Sequence, residues 1–309
     1  MRRVARVTVV GESLVDLLWR KGEEQPRAVA GGSPANVAVG LRRLGREVTL
    51  VTTRGDDPPG ELVRARVEEA GLDVRWMPSS GSTTVALAHL DDAGAARYDF
   101  LASWAPDELT VPADTAVVHT GSLATVLEPG ARRVLELCAR QREAGVSVAA
   151  DLNVRPAAQP DRERYRAAAR RLASATDVLK ASDEDLGWLY PGQSPERSAR
   201  RLLAEGPRLV VVTLGAAGAL GVAPSGTVRV TAPPTEVVDT VGAGDAFQAA
   251  LLDAVARRGG PPSGTAELTA VLERCARAGA LTCTRAGSQP PTLEELDGPA
   301  AEGTGADAG

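Results

Sequence analysis

The chain has 309 residues and a formal net charge of −5, from 35 basic and 40 acidic side chains. This length can bury a sizeable core, as one large α/β domain or two smaller ones. The acidic balance and the lack of a basic stripe argue against a nucleic-acid partner. The sequence has three cysteines without metal or redox spacing, no signal peptide and no apolar run of membrane-spanning length. We therefore predict a cytoplasmic protein with no membrane partner.

Short strands dominate the first hundred residues. Apolar or alternating runs predict strands at Val4–Val10, Ser13–Trp19, Arg27–Ala30, Val48–Thr53, Thr83–Leu90 and Arg97–Leu101. Two helices are predicted between them, at Pro34–Leu44 and Gly60–Ala70, and each stops at a glycine. The last two strands flank a polar turn, Asp91–Gly94, and predict a hairpin. The antiparallel pieces among these strands predict a small separate sheet.

From Thr115 onward, strands alternate with helices, which predicts a parallel sheet covered by helices. The strands are predicted at Ala116–His119, Val146–Asp151, Val178–Lys180 and Leu209–Thr213. The helices between them are predicted at Gly130–Ala144, Arg162–Ala173 and Asp183–Leu189. The last dozen residues, from Gly298, contain only Gly, Ala, Thr and acidic types together with one Pro. We predict that this tail is disordered.

The most informative segment is Asp239–Phe247, which follows a β-rich stretch, Val228–Val238, and leads into an apolar helix, Ala246–Ala256. Gly242 and Gly244 let the backbone turn sharply and approach a ligand closely. The turn becomes a helix N-terminus, whose free N–H groups and positive dipole end favour an anion. The segment therefore predicts a phosphate cradle.

Asp245 is the carboxylate in the first turn of this predicted helix. Beside an anion-binding turn, it is a candidate proton acceptor. The alternative that the residues leave open is an aspartate that only caps a helix after a glycine turn.

A second glycine pair, Gly31 and Gly32, opens another apolar helix. Pro34 suits an early helix position, and Ser33 is a candidate cap. Asn36 lies among small neighbours and is a candidate to offer its amide to a sugar hydroxyl. The alternative is an asparagine that is buried for packing.

Two other positions suggest ligand binding. Asp16 ends an alternating strand, where its carboxylate can accept two hydrogen bonds from vicinal sugar hydroxyls; the alternative is an exposed charge on an edge strand. Arg155 follows the strand that ends at Asp151, and open α/β sheets bind ligands at such strand ends. We expect Arg155 to bind a phosphate or carboxylate through its planar fork, with Asp151 holding it; the alternative is a structural ion pair.

The two glycine segments, about two hundred residues apart in this order, resemble the two signatures of the ribokinase-like (PfkB) carbohydrate kinase family. The resemblance extends over roughly residues 4–296. It implies an α/β, ribokinase-like fold, in which helices flank a central, mostly parallel sheet and a small β-sheet forms a lid. The kinase domain is expected at residues 1–297, the lid at about 12–31 and 83–102, and the disordered tail at 298–309.

The resemblance assigns roles to the residues around the glycine turn. It implies Asp245 as the catalytic base, helped by the N–H groups of Gly242, Ala243 and Gly244. It implies substrate contacts for Asp16, Gly31, Gly32, Asn36, Tyr98 and Arg155. The Asp151-x-Asn153-x-Arg155 pattern, supported by Tyr98 and Phe100, resembles the fructokinase and 2-keto-3-deoxygluconate kinase branch.

Nucleotide and metal contacts are implied by the same resemblance. The implied ATP-binding residues are Lys180, Ser182, Thr213, Gly215, Gly218 and Gly244. Ser182 and Asp185 stand where the family usually has Asn and Glu, and Asp185 is expected to reach Mg²⁺ through water. The alternative for Asp185 is an acid that only stabilises a first helical turn. A K⁺ site is implied at Asp239, Val241 and Gly287, although Pro291 replaces a frequent Ser and removes one hydroxyl ligand.

We therefore expect an ATP-dependent sugar kinase that uses Mg²⁺ and has a candidate K⁺ site. Its first candidate substrate is fructose or a related ketose, and the alternatives are a 2-keto-3-deoxygluconate kinase and a non-catalytic sugar or nucleotide sensor. The sequence has no Gly-x-x-x-x-Gly-Lys-Ser/Thr and no strand-borne Gly-x-Gly-x-x-Gly, which argues against a Walker-type ATPase and a nicotinamide enzyme. The resemblance also admits a homodimer that forms through the lid.

Overall fold

A computed structural model describes residues 5–90 and 96–298 of the chain. The predicted turn at Asp91–Gly94, the tail from residue 299 onward and Val4 therefore lie outside the described residues. Within the described ranges the chain forms two β-sheets, and helices cover the larger one.

The larger sheet has nine described strands. In spatial order they are β13 (Gly226–Val230), β12 (Ala219–Ala223), β11 (Leu209–Thr213), β10 (Val178–Ser182), β9 (Ser147–Asp151), β8 (Thr115–Gly121), β1 (Arg6–Val10), β4 (Val48–Thr52) and β5 (Asp73–Trp76). All pairs from β5 to β11 are parallel, whereas β12 and β13 form an antiparallel edge. Helices cover both faces of the sheet, which explains why β11 is a continuous apolar run.

The smaller sheet contains the two segments predicted to form a lid. Its order is β3 (Arg27–Gly31), β2 (Leu14–Arg20), β6 (Thr84–Leu90) and β7 (Ala96–Leu101). The strands β2 and β6 pair in parallel, and the outer two pairs are antiparallel. Since β1 is in the large sheet and β2 is in the small one, the short connection after Val10 joins the two sheets.

Helices cover both faces of the large sheet. They are α1 (Ser33–Arg43), α2 (Pro58–Glu69), α3 (Gly130–Glu143), α4 (Arg162–Ser174), α5 (Asp183–Leu189), α6 (Pro195–Leu203), α7 (Ala243–Arg258), α8 (Thr265–Cys283) and α9 (Leu293–Asp297). The core on one face joins α1, α7 and α8 to the sheet, and on the other face α3 to α6 pack against it. Among the described helices, none combines the length and apolar character needed to cross a membrane.

The structure confirms the predicted α/β class with a mostly parallel sheet and a small separate sheet. One prediction near the glycine turn is wrong. The β-rich stretch Val228–Val238 is a strand only as far as Val230, and no regular element covers residues 231–238. Pro233 and Pro234 explain the difference, because proline has no N–H to donate to a ladder. The structure also contains α6, α8, α9 and β5, which the local sequence patterns do not predict.

Candidate active site

The α7 helix begins at the predicted glycine turn. Gly242 is its N-cap residue, in a left-handed conformation with φ of 81°, and no side chain caps the helix. A side chain at this position would also collide with Ser288, since an added Cβ would lie 2.1 Å from its Oγ. Glycine is therefore required here for both conformation and space. The uncapped N-terminus keeps the positive end of the helix dipole available to an anion.

The predicted set of phosphate donors needs one correction. The N–H of Ala243 donates to the carbonyl of Thr240 at 3.2 Å, so it closes the turn and is not free for a ligand. The N–H groups of Gly242 and Gly244 have no acceptor among the described residues. The anion site therefore rests on these two N–H groups and the helix end.

Asp245 does not act as a helix cap. Its Oδ1 accepts a hydrogen bond from Ser33 Oγ at 2.6 Å, and its Oδ2 accepts one from Asn36 Nδ2 at 2.9 Å. Both donors lie in the first turns of α1, which packs beside α7. The capping alternative for Asp245 is thus wrong, and so is the prediction that Ser33 caps α1, whose N-cap is Gly32. Local sequence patterns do not mark Ser33 as a site residue, because its partner is 212 residues away.

The surroundings of Asp245 suit a proton acceptor. Burial raises its pKa above the usual range of an aspartate, and the charge of Asp151 adds to this effect. The hydrogen bonds from Ser33 and Asn36 and the charge of Lys180 act in the opposite direction. A raised pKa makes the carboxylate a stronger base than an ordinary aspartate.

The small sheet carries Asp16, Gly31 and Tyr98, and Arg155 approaches them from the loop after β9 of the large sheet. Asp16 is half-buried on β2, an inner strand, so the alternative of an exposed charge on an edge strand is wrong. The pKa of Asp16 is raised to about 6, because burial and the Asp245 charge raise it more than the Arg155 charge lowers it. The charges of Asp16 and Arg155 also act on the pKa of Tyr98. The predicted substrate residues therefore lie close to one another and to Asp245.

The two glycines before α1 fit closely around this group. An added Cβ on Gly31 would lie 2.9 Å from Asp16 Oδ2, and one on Gly32 would lie 2.9 Å from the Glu12 carbonyl oxygen. Gly32 also has a φ of 104°, which favours glycine. The buried carboxylate of Glu12 accepts hydrogen bonds from the N–H groups of Leu123 and Ala124. It therefore ties this connection to the Ser122–Thr125 turn after β8.

The prediction that Asp151 holds Arg155 is wrong, because Asp151 pairs with Lys180 instead. Its Oδ2 lies 2.6 Å from Lys180 Nζ, and these two side chains are 3% and 4% exposed. Arg155 is half-buried and has no carboxylate within ion-pair distance among the described residues; its Nη1 donates to the Val154 carbonyl. A guanidinium near Asp16 without an ion-pair partner remains available to a substrate or to a phosphate.

The predicted magnesium residue Asp185 has a defined local role. With Ser182 it forms a capping box at the start of α5, in which each side chain accepts a hydrogen bond from the backbone N–H of the other residue. The second oxygen of Asp185 accepts from the Val154 N–H at 2.8 Å. The carboxylate is thus buried with both oxygens already hydrogen-bonded, and contact with Mg²⁺ through water stays a prediction.

The predicted nucleotide loop lies between β11 and β12. Thr213 ends β11, and Gly215 and Gly218 both have positive φ angles in the turn that follows. An added Cβ on Gly218 would lie 2.0 Å from the Val230 carbonyl oxygen, so glycine allows β13 to approach this turn. The turn adjoins the carboxyl ends of β10 and β11, where parallel sheets bind ligands.

The three residues predicted to bind K⁺ are brought together. Asp239 Oδ1 accepts from the Val241 N–H at 3.0 Å, and its Oδ2 accepts from the Gly287 N–H at 2.8 Å. Asp239 therefore joins the loop before α7 to the C-terminal loop. Each oxygen keeps a second lone pair, so the donor set is compatible with a monovalent cation. Among the described residues, no cluster of three His, Cys, Asp or Glu side chains has an arrangement that could hold a metal ion.

The family assignment follows from comparison with known proteins. The model of the family described as pfkB family carbohydrate kinase matches residues 4–295 of the chain. This chain belongs to that family. A PfkB carbohydrate kinase is a phosphotransferase that acts on a sugar hydroxyl, which agrees with a base beside an anion-binding helix end.

Three relatives show how far this PfkB kinase resembles characterised proteins. Fructokinase from Salmonella typhimurium is 32% identical over 293 residues, covering 92% of this chain and 95% of the relative. A fructokinase double mutant from Vibrio cholerae O395, crystallised in its fructose-, ADP- and potassium-bound form, has a TM-score of 0.77 at 26% identity and covers 95% of each chain. Aminoimidazole riboside kinase from Salmonella enterica, crystallised with aminoimidazole riboside and an ATP analog, has a TM-score of 0.79 at 26% identity. That match covers 94% of this chain and 98% of the relative.

Proposed function

We propose that this chain is an ATP-dependent kinase that phosphorylates a hydroxyl of fructose or a related ketose. The observation that best supports this is the position of Asp245. It stands in the first turn of α7, next to the anion-binding helix end, and its charge acts on Asp16 at the small sheet. A sugar between Asp16 and Asp245 would present a hydroxyl to the base and to a phosphoryl group at once.

In this mechanism Asp245 accepts the proton of the sugar hydroxyl as its oxygen bonds to the γ-phosphorus and the bond to the ADP oxygen breaks. Ser33 and Asn36 hold the carboxylate by one oxygen each. The N–H groups of Gly242 and Gly244 and the dipole of α7 stabilise the negative charge on the transferred group. The loss of one such donor typically costs ~3 kcal/mol of barrier.

The metal ions are part of the same proposal. Mg²⁺, when bound with ATP, supplies positive charge at the phosphates. Asp185 is proposed to contact its water shell, as its second lone pairs permit. K⁺ is proposed to bind at Asp239, Val241 and Gly287, whose loops meet in the structure. The K⁺-bound fructokinase of Vibrio cholerae supports this assignment.

Fructose is preferred because relatives named fructokinase match more than nine-tenths of the chain at about 30% identity. The guanidinium of Arg155, without an ion-pair partner among the described side chains, is the observation that favours the second candidate, 2-keto-3-deoxygluconate, which carries a carboxylate. Lysine cannot reproduce the planar fork that binds a carboxylate through two hydrogen bonds. Substitution of Arg155 therefore separates the two substrates.

The test measures kcat/KM with ATP for fructose, 2-keto-3-deoxygluconate and aminoimidazole riboside, in the wild type and in Arg155→Lys. The control is Arg164→Lys, whose side chain is 78% exposed on α4. We expect fructose to be preferred and Arg155→Lys to retain much of the activity. If the wild type prefers 2-keto-3-deoxygluconate, and Arg155→Lys loses this preference while Arg164→Lys keeps it, the keto acid is the substrate. Binding of sugar and ATP without turnover would favour the non-catalytic sensor.

We also propose that the small sheet closes over the sugar and joins two copies of the chain. By strand register, Trp19 and Leu101 lie on the face of this sheet opposite to Asp16, and they are 38% and 77% exposed. Light scattering should give a dimer for the wild type and a monomer for Leu101→Lys. A wild-type monomer at micromolar concentration would contradict the dimer.

A further inference from the structure

Two opposite charges are buried beneath the candidate catalytic turn. Lys180 Nζ and Asp151 Oδ2 are 2.6 Å apart, on the neighbouring central strands β10 and β9, where the two residues are paired in register. Their side chains are 4% and 3% exposed. Burial of two charges is costly unless they compensate each other. Apolar side chains could fill the same space in the core, so packing alone does not explain this pair.

The pair lies directly under the start of α7. The Cβ position of Gly244, the residue before Asp245, is 3.8 Å from Lys180 Nζ. Gly121, at the end of β8, has no side chain because an added Cβ would lie 2.3 Å from the Asp151 carbonyl oxygen. The ends of β8 and β9 therefore lie close together, and the charges of Asp151 and Lys180 lie below the start of α7.

The polar contacts around the pair are incomplete. Asp151 Oδ1 is buried and has no hydrogen-bond donor among the described residues, and the same holds for Oε1 of the nearby Gln248 on α7. Gln248 contacts His119 Nδ1 at 3.3 Å, and burial lowers the pKa of His119 to about 4, so this histidine is neutral at pH 7. Lys180 is thus the cation that compensates Asp151.

The choice of lysine is unusual for this chain. Of its 35 basic residues, 33 are arginines, and Lys180 is one of only two lysines. A compact ammonium can be enclosed on all sides, whereas a planar guanidinium with five donors requires more space and more acceptors. This chain, which otherwise uses arginine almost throughout, therefore has a lysine at the position below the catalytic turn.

We propose that Lys180 and Asp151 are positioning residues that fix the charge around Asp245, each cancelling the field of the other at the catalytic carboxylate. This inference rests on the proposed function. The other groups that face Asp245 are neutral Ser33 and Asn36 on α1 and the carboxylate of Asp16 on β2. With Asp16 already negative, an unpaired Asp151 would make proton release from Asp245 harder, and an unpaired Lys180 would hold Asp245 as an ion pair.

The two charges have opposite effects on the pKa of Asp245, since Asp151 raises it and Lys180 lowers it. A base loses activity as the pH falls below its pKa, so the acidic limb of kcat at saturating sugar reports this pKa in the enzyme–substrate complex, whereas kcat/KM would also contain the titration of Asp16. In Asp151→Asn the remaining ammonium should move the acidic limb to lower pH, by about one pH unit. In Lys180→Met the remaining carboxylate should move it to higher pH by a similar amount.

The experiment measures the pH dependence of kcat at saturating sugar and ATP for wild type, Asp151→Asn, Lys180→Met and the double variant. We expect opposite shifts in the two single variants and a limb close to wild type in the double variant. The control is Arg46→Met, which removes one partner of another buried aspartate, Asp253, away from the site. It should leave the acidic limb unchanged.

Limbs that stay at the wild-type position in the single variants, or that move in the same direction, would overturn the proposal. If Asp151→Asn does not fold, Lys180→Met alone decides, because an unmoved limb there has the same meaning. If the wild type phosphorylates no sugar, the proposed function fails separately. The pKa of Asp245 is then measured by ¹³C NMR against matched Asp245→Asn variants, and the same opposite shifts are expected.

Discussion

Asp245 takes its properties from three distant parts of the chain. Its hydrogen-bond donors, Ser33 and Asn36, come from α1, and the buried pair below it comes from β9 and β10. Desolvation makes it more basic, whereas the hydrogen bonds keep part of its charge stabilised and fix its orientation. A single carboxylate thus combines the basicity and the orientation that proton transfer requires.

Asp245→Asn should bind sugar and ATP with nearly unchanged affinity but lose about 10²- to 10⁴-fold in kcat, since an amide cannot accept the hydroxyl proton. Steady-state assays and calorimetric titration with each ligand check the two parts. A variant that retains more than half of wild-type turnover would contradict the role of Asp245 as the base.

Asp16 should make sugar binding depend on pH. Its pKa is raised to about 6, so the carboxylate takes up a proton as the pH falls through this value and loses acceptor capacity for hydroxyls. The sugar KM should therefore rise below about pH 6, while the KM of ATP stays flat. In Asp16→Asn the sugar KM should be about 10-fold or more higher at pH 8, which corresponds to ~1.5 kcal/mol for a hydrogen bond to a charged group. It should not change further at low pH; a pH-dependent KM in this variant would show that another group titrates.

At the scale of elements, the site depends on where strands end and helices begin. The carboxyl ends of β9, β10 and β11 and the first turns of α1, α5 and α7 meet along one edge of the large sheet. Parallel strands place their carboxyl ends on the same side, and the helix N-termini that follow carry positive dipole ends. The small sheet lies against this edge through β3, which leads directly into α1.

Gly31, at the end of β3, should control the position of Asp16. A methyl group on this glycine would lie 2.9 Å from Asp16 Oδ2, so Gly31→Ala must displace the carboxylate. We expect the sugar KM to rise several-fold, with little change in the KM of ATP. Gly187→Ala, in α5, is the matched control, because an added Cβ there meets nothing within 4 Å. Equal sugar KM values for the two variants would contradict the close fit.

At the scale of the whole molecule, a buried ion network away from the site connects several helices. Asp253 of α7 is 0% exposed and pairs with Arg46 after α1, with Arg257 of the same helix and with Arg274 of α8. The carboxylate thus links the helices that support the catalytic turn from behind. We expect this ion network to contribute to the free energy of unfolding and not to ligand binding.

Asp253→Ala should lower the free energy of unfolding by about 1–3 kcal/mol. It deprives the partly buried Arg46 of its carboxylate partner, whereas Arg257 and Arg274 keep Asp297. Denaturant unfolding measures this loss, and the KM values for sugar and ATP should stay within about twofold at low temperature. A large change in sugar KM at unchanged stability would show that the network acts on the site.

The separate elements of this fold were largely predictable. The strand at Leu209–Thr213 and the helix at Asp183–Leu189 agree with the structure at both ends, because apolar runs and capping residues act locally. The helix α8, Thr265–Cys283, was not predicted, although it is 19 residues long. It lies against α7 in the core, and its small side chains give a weak pattern without that neighbour.

The sequence by itself determined the glycine turn, the carboxylate that follows it and the alternation of strands and helices, because backbone conformation and helix ends depend on neighbouring residues. The tertiary structure alone decided the partners of that carboxylate. Ser33 contacts Asp245 across 212 positions, and Lys180 pairs with Asp151 instead of leaving it to Arg155. Such contacts follow from strand order and register, which are set by packing over the whole chain and cannot be deduced from local spacing.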